Sequence, residues 1–269
     1  MQKTEKKLTI SIQTNSSAFV APKFLKFVPA SVFDVVAVQL PGRGNRKNEK
    51  ACISVVDLVK ELVVVFEKFL ETDSRQYCMF GHSMGSLVMF VLCKELIARN
   101  EKLGKNNGLP LHLFASSRIA PQCKTPEYHK RTRDEMMMVL KWMGGTPEEV
   151  LKDPQMLETL IPLVFADFTL NETYMVENQK DAREASIGGA FEDALDIPIT
   201  VVKGTQDNSD ITFELLQGWK RHTKNKFMFA ENRGGHFHCM ENTSGLFEIV
   251  LKSMGICSAD LPQQQQANE

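Results

Sequence analysis

The chain has 269 residues, 43% hydrophobic and 24% charged, with a formal net charge of -1. That composition excludes a disordered chain, and the length suits one large domain with a substantial core. The balanced charge, with no sustained basic face, excludes an electrostatic nucleic-acid binder, and no run approaches the ~20 apolar residues of a membrane span.

The opening segment, Met1 to Lys7, is polar and charged and lacks the apolar run of a secretory leader. Leu8 to Ile12 alternates apolar and polar side chains and predicts a first strand. Val32 to Leu40 is nearly continuous and β-branched, as in a strand buried on both faces, and it stops at Pro41-Gly42-Arg43-Gly44. Ser54 and Asp57 form an N-cap pair for a helix whose apolar face runs from Val55 to about Leu70. Gln76 to Phe80 predicts a strand, Met84 to Arg99 an apolar helix, and Leu111 to Ala115 another strand. Such alternation predicts a mostly parallel central sheet flanked by helices.

From about Gln122 to Gly189 the strand signals vanish. Thr146-Pro147-Glu148-Glu149 and Asp153-Pro154 each put a capping residue before a proline, which opens a helix, so residues 122–190 predict a helical lid inserted in the sheet domain. Strands resume at Ile197 to Val202 and Lys226 to Phe229, with helices from Ile211 to His222 and from Asn242 to Met254. Residues 1–260 thus read as a single domain, followed by a polar tail at 261–269 expected to be disordered. The six cysteines show no CxxC spacing and several fall inside predicted elements, which favours reduced thiols and a cytoplasmic setting. No cofactor or metal is expected.

Gly81-His82-Ser83-Met84-Gly85 fits G-x-S-x-G, with a strand entering and a helix leaving. That setting makes a nucleophile elbow, in which the glycines permit close backbone approach and the Ser83 hydroxyl stands clear of the sheet. An α/β-hydrolase fold is therefore expected. Serine needs an imidazole to take its proton and a carboxylate to fix the ring's tautomer, and in this fold the order is serine, acid, histidine. Asp207 follows a predicted strand, and His236 follows Gly234-Gly235 after the last one. Asp210 remains an alternative acid, and His238 an alternative base. His82, inside the elbow, is read as packing beside the nucleophile.

The chain resembles the type II thioesterases, which include editing enzymes of polyketide and nonribosomal peptide synthesis and the medium-chain thioesterase of fatty acid synthase. The likeness runs from about Leu8 to Leu251 on the segments VVAVQLPGRGNR (Val35 to Arg46), FGHSMGS (Phe80 to Ser86), LHLFASSRIAP (Leu111 to Pro121), GGTPEEVL (Gly144 to Leu151), LIPLVFADFTLNETY (Leu160 to Tyr174) and GGHF (Gly234 to Phe237). The resemblance implies Ser83 as nucleophile, Asp207 as acid and His236 as base, acting on an acyl thioester carried on the phosphopantetheine of an acyl carrier domain. Two backbone N–H groups should face the oxyanion, one from Met84 and one assigned to Asn15. The family's loop there is glycine-rich, whereas Gln13 to Ala18 has no glycine, a departure that predicts weakened oxyanion binding. Met136, Met143, Phe165 and Phe168 of the lid are candidates to line an acyl pocket, against the plainer reading that they fill a core. A monomer is expected. An oxygen-ester hydrolase with the same triad, or a hydrolase-like binding protein, are the competing functions.

Overall fold

A computed structural model describes residues 7–12, 33–72, 75–103, 108–174, 188–207 and 211–256. The Gln13 to Ala18 loop with Asn15, the alternative acid Asp210 and the tail at 261–269 lie outside them.

The strands are β1 (Lys7–Ile12), β2 (Phe33–Val38), β3 (Tyr77–His82), β4 (Leu113–Ser116), β5 (Ile199–Gly204) and β6 (Phe227–Asn232), in one sheet of order β2-β1-β3-β4-β5-β6. Every neighbouring pair is parallel. The helices are α1 (Val55–Thr72), α2 (Met84–Leu103), α3 (Arg133–Met143), α4 (Glu148–Lys152), α5 (Pro154–Glu172), α6 (Phe213–Gln217), α7 (His238–Glu241) and α8 (Thr243–Ser253). The expected strand–helix alternation is present, with sheet faces covered by helices.

Side chains of the central strands alternate between two cores, as a pleat of period two requires. Tyr77 and Met79 of β3, Leu113 and Ala115 of β4, and Ile199 and Val201 of β5 join the apolar faces of α1 and α2. Cys78, Phe80, Phe114 and Val202 point the other way, onto Leu246, Phe247, Val250 and Leu251 of α8. Because both faces are covered, these strands read as unbroken apolar runs in the sequence.

Helices α3, α4 and α5 lie between β4 and β5 and make their own small core of Met136, Leu140 and Ile161. Asp153 caps α5 by accepting from the N–H groups of Gln155 (2.8 Å) and Met156 (3.2 Å), and Pro154 takes the first helical position. Two expectations need adjusting. Pro147, one residue after Thr146, occupies the cap position of α4 and makes no side-chain cap bond. The stretch read as one helix from Ile211 to His222 is α6 followed by a 3-10 segment, Gly218–His222. There the Gly218 Cα sits close against Ala120 and Gln122, and a Cβ would lie 2.9 Å from either side chain, so the chain tightens against β4's outgoing loop.

Candidate active site

The carboxyl ends of β3, β4, β5 and β6 lie side by side and present the loops that carry the chemistry. Ser83 sits between β3 and α2 with φ of 52°, a left-handed conformation that L-residues adopt at a cost. Its N–H donates to Ser116 O of β4 (2.8 Å). Ser86, one turn along, ties the elbow down by donating to Gly81 O (2.8 Å) and accepting from Ser116 N (3.1 Å). The glycine at 81 is obligatory for this turn: a Cβ there would lie 2.3 Å from Gly85 O and 2.5 Å from Ser86 N. Met84 opens α2, so its N–H has no carbonyl partner within the helix.

Asp207 follows β5, and His236 follows β6. Thr205 N donates to Asn232 O (2.9 Å) and Gln206 N to Gly234 O (2.8 Å), so the two loops run bonded together. They approach so closely that a Cβ on Gly204 would meet Gly235 O at 2.1 Å. The result is a buried contact, His236 Nδ1 to Asp207 Oδ2 at 3.2 Å, with side chains 4% and 0% exposed. An ionised carboxylate only accepts, so Nδ1 carries the proton and Nε2 presents its lone pair. That Nε2 is buried and makes no hydrogen bond to any described residue, Ser83 included; Ser83 and His236 line the same cleft. Bonds between a nucleophile and its base are often long before substrate arrives.

The alternative histidine, His238, has different partners. His238 is fully buried, with Nδ1 3.0 Å from Asn232 Nδ2 and Nε2 3.0 Å from Ser116 Oγ. Asn232 Oδ1 accepts from Asn242 Nδ2 (2.9 Å), which fixes the orientation of the Asn232 amide. Its Nδ2 therefore donates to His238 Nδ1, and the His238 proton sits on Nε2. Burial pulls the His238 pKa down to about 4, so the ring is neutral. Ser116 Oγ also contacts His82 Nδ1 (3.0 Å), and the His82 ring lies 5.2 Å from that of His236. Burial first, then the neighbouring His236 and His238, depress the His82 pKa well below the usual value, leaving an uncharged wall beside the His236 imidazole.

The cleft encloses about 500 Å³ of non-atom space, part of it open to solvent. Of the lid candidates, Met143 and Phe168 line it. Met136 and Phe165 do not: Met136 is wholly buried in the lid's own core, and Phe165 packs against that core. Both methionines belong to α3 on one helical face, but seven residues, or about 10 Å along the axis, separate the lid interior from the cleft. Ser117, Arg118 and Asn171 also line the cleft and were not singled out from the sequence. Ser117 has φ of 47° directly after β4, and its Oγ donates to His236 O (3.2 Å), bracing the histidine loop.

The lid is fastened from below. Arg43, 4% exposed in the Pro41–Gly44 turn, grips Asp167 of α5 through Nη1 (3.1 Å) and Nη2 (2.5 Å). Burial raises the Asp167 pKa to about 6 even though Arg43 pulls it down. The pair joins two of the segments on which the family likeness runs, Val35 to Arg46 and Leu160 to Tyr174.

Comparison with known proteins decides the family. The thioesterase domain model matches residues 22–254. The chain belongs to the thioesterase family. This thioesterase is 30% identical over 235 residues to the gramicidin S biosynthesis protein GrsT of Aneurinibacillus migulanus, covering 87% of this chain and 82% of that one. It is 26% identical over 234 residues to the medium-chain S-acyl fatty acid synthase thioesterase of Rattus norvegicus, covering 84% and 79%. Among solved structures it resembles the type II thioesterase BorB from the borrelidin biosynthetic cluster, with TM-score 0.69, 27% identity and 93% coverage of both chains. The thioesterase is thus an α/β-hydrolase that cleaves acyl thioesters. Among the described residues no helix is long and apolar enough to cross a membrane.

Proposed function

We propose that Ser83, His236 and Asp207 are the catalytic triad of a type II thioesterase that removes acyl groups from the phosphopantetheine arm of a carrier protein. The observation that carries this reading is the buried Asp207–His236 contact, which leaves Nε2 unpartnered in the cleft that holds Ser83. In the first stage, Ser83 Oγ bonds to the thioester carbonyl carbon while its proton passes to His236 Nε2. Asp207 stabilises the imidazolium that forms. The C–S bond then breaks, and the departing sulfur takes the proton from Nε2. In the second stage a water gives a proton to Nε2 as its oxygen attacks the acyl-serine carbonyl, and collapse returns a proton to Ser83 and releases the acid. The Met84 N–H is one oxyanion donor, and Asn15 is proposed as the source of the second.

The carrier-bound substrate is supported by kinship with GrsT, named for gramicidin S biosynthesis, and with the rat enzyme, named for fatty acid synthase. A reducing, cytoplasmic setting is supported by Cys52, Cys78, Cys93, Cys123 and Cys239, all free thiols. A single copy suffices for the chemistry, because one chain lines the cleft with both Ser83 and His236.

Brief incubation with acyl-loaded carrier protein, followed by mass spectrometry of the peptides, tests the reading. The expected result is an acyl adduct on the peptide containing Ser83, lost in Ser83→Ala while the variant keeps the parent's thermal midpoint. Undiminished hydrolysis by a folded Ser83→Ala would refute it.

A further inference from the structure

Arg118 follows β4 by two residues and is 6% exposed, and its Nε is buried with no hydrogen-bond partner among the described residues. Its backbone is engaged, with Arg118 O accepting from Trp219 Nε1 (2.8 Å). A buried guanidinium N–H ordinarily has an acceptor, because desolvating it without one is costly. Glu172, the carboxylate whose charge acts on Arg118, already accepts from other donors. Oε1 accepts from Tyr128 N (3.1 Å), and Oε2 accepts from His129 N (2.9 Å) and contacts His129 Nδ1 (2.7 Å). Glu172 therefore offsets the Arg118 charge at a distance without bonding to it. Burial lowers the Arg118 pKa to about 10, which still leaves it protonated near neutral pH.

A second polar group in the cleft is also unsatisfied. Asn171 Oδ1, one residue before Glu172 near the end of α5, is buried with no hydrogen-bond partner among the described residues. Arg118 and Asn171 line the cleft that holds Ser83 and His236. Arg118 Nε is a donor without an acceptor, and Asn171 Oδ1 an acceptor without a donor. A purely hydrocarbon chain entering this cleft would strip water from both and give nothing back. A carboxylate would answer the guanidinium but would face Asn171 Oδ1, and the Glu172 field opposes a second negative charge. A hydroxyl group answers both.

We infer that Arg118 and Asn171 form a specificity site for acyl chains that carry a hydroxyl group, Arg118 donating to the hydroxyl oxygen and Asn171 Oδ1 accepting its proton. The inference rests on Ser83 being the acyl-accepting residue. It adds a substrate class to that reading: hydroxyacyl thioesters, with Met143 and Phe168 packing the hydrocarbon part of the chain.

The test uses N-acetylcysteamine thioesters of one chain length: unsubstituted, hydroxylated at successive carbons from C3, 3-oxo, and ending in a carboxylate. At least one hydroxy isomer should exceed the unsubstituted chain in kcat/KM by about tenfold or more, the worth of a hydrogen bond to a charged group. Arg118→Met and Asn171→Leu should each collapse that ratio toward one, and Arg118→Lys should restore part of it. If Arg118→Met does not fold, Asn171→Leu, at a partly exposed helical position, still decides the matter. Equal or better turnover of the unsubstituted chain overturns the inference. So does preference for the oxo or carboxylate chain, or a hydroxyl preference that survives in the variants. Each of those outcomes leaves the role of Ser83 standing, whereas hydrolysis of no thioester at all sinks both.

Discussion

Replacing Asp207 with asparagine removes a charge while keeping the shape of the side chain, so it isolates what the carboxylate does. His236 Nδ1 and Asp207 Oδ2 are 3.2 Å apart, with both side chains nearly sealed from solvent. At that distance, and at an effective dielectric of about 20, a carboxylate stabilises an imidazolium by ~5 kcal/mol. Losing it raises the barrier to proton transfer by nearly four decades of rate. Asparagine adds a second fault. Its amide can donate to Nδ1, which drives the ring proton to Nε2 and blocks it as a base, and a loss on the order of 10⁴ in kcat is the known scale for that fault in serine proteases. The assay is thiol release from an acyl-N-acetylcysteamine thioester at saturating substrate, with circular dichroism to show that the variant is folded. Asp210→Asn is the control that separates the two candidate acids. A loss below about tenfold in Asp207→Asn, or a larger loss at Asp210, would refute the assignment.

Ser83→Gly should abolish turnover yet raise stability by ~1 kcal/mol in chemical denaturation, because glycine adopts φ of 52° without the Cβ penalty. A destabilised variant would contradict that expectation. Arg43→Ala leaves the Asp167 carboxyl without its bidentate partner under the lid and should cost ~3–5 kcal/mol, with earlier proteolytic cleavage in α5 than in the sheet. His112, His222 and His238 have folded pKa values pushed down by burial to about 4, 3 and 4. Each binds a proton more readily unfolded than folded, so the stability they confer is complete above pH ~6.5 and is lost as pH falls toward the folded values. At pH 5 the loss is on the order of 2 kcal/mol per histidine, readable as a lower denaturation midpoint than at pH 7.5. A flat profile between those two pH values would disprove it.

Much of the fold was legible because both sheet faces are covered. Tyr77 to Phe80 is an apolar run of the central β3 that ends abruptly at a glycine-bearing turn. Val35 to Val38 reads the same way, but the structure makes β2 an edge strand whose valines are only half-buried, so the expected burial on both faces does not hold there. The positions of Ser83, Asp207 and His236 after three strands were legible because each sits in glycine-bearing sequence at a strand end. The strand order was not readable, since pairing between β1 and β3 depends on packing that no local signal encodes. Choosing between His236 and His238 from sequence was a matter of neighbours, and the structure distinguishes them by partners: a carboxylate for one, an amide and a hydroxyl for the other. Arg118 could not be recognised in advance. An arginine after a strand is ordinary, and only its buried Nε, unpartnered among the described residues, makes it unusual. Met136 and Met143 share a helical face, so periodicity alone gave them one role when the helix assigns them two.

The backbone bonds joining residues 205 and 206 to the strand end and loop at 232 and 234 have a mechanistic consequence. The imidazole and its carboxylate ride on one welded edge, while the alcohol arrives from β3, with β4 interposed. Ring and acid are thus coupled directly through backbone bonds, whereas alcohol and ring are coupled only through β4. Under the proposed mechanism, that coupling of ring and acid holds the proton on Nδ1 between turnovers, so each acyl group meets Nε2 as a free lone pair.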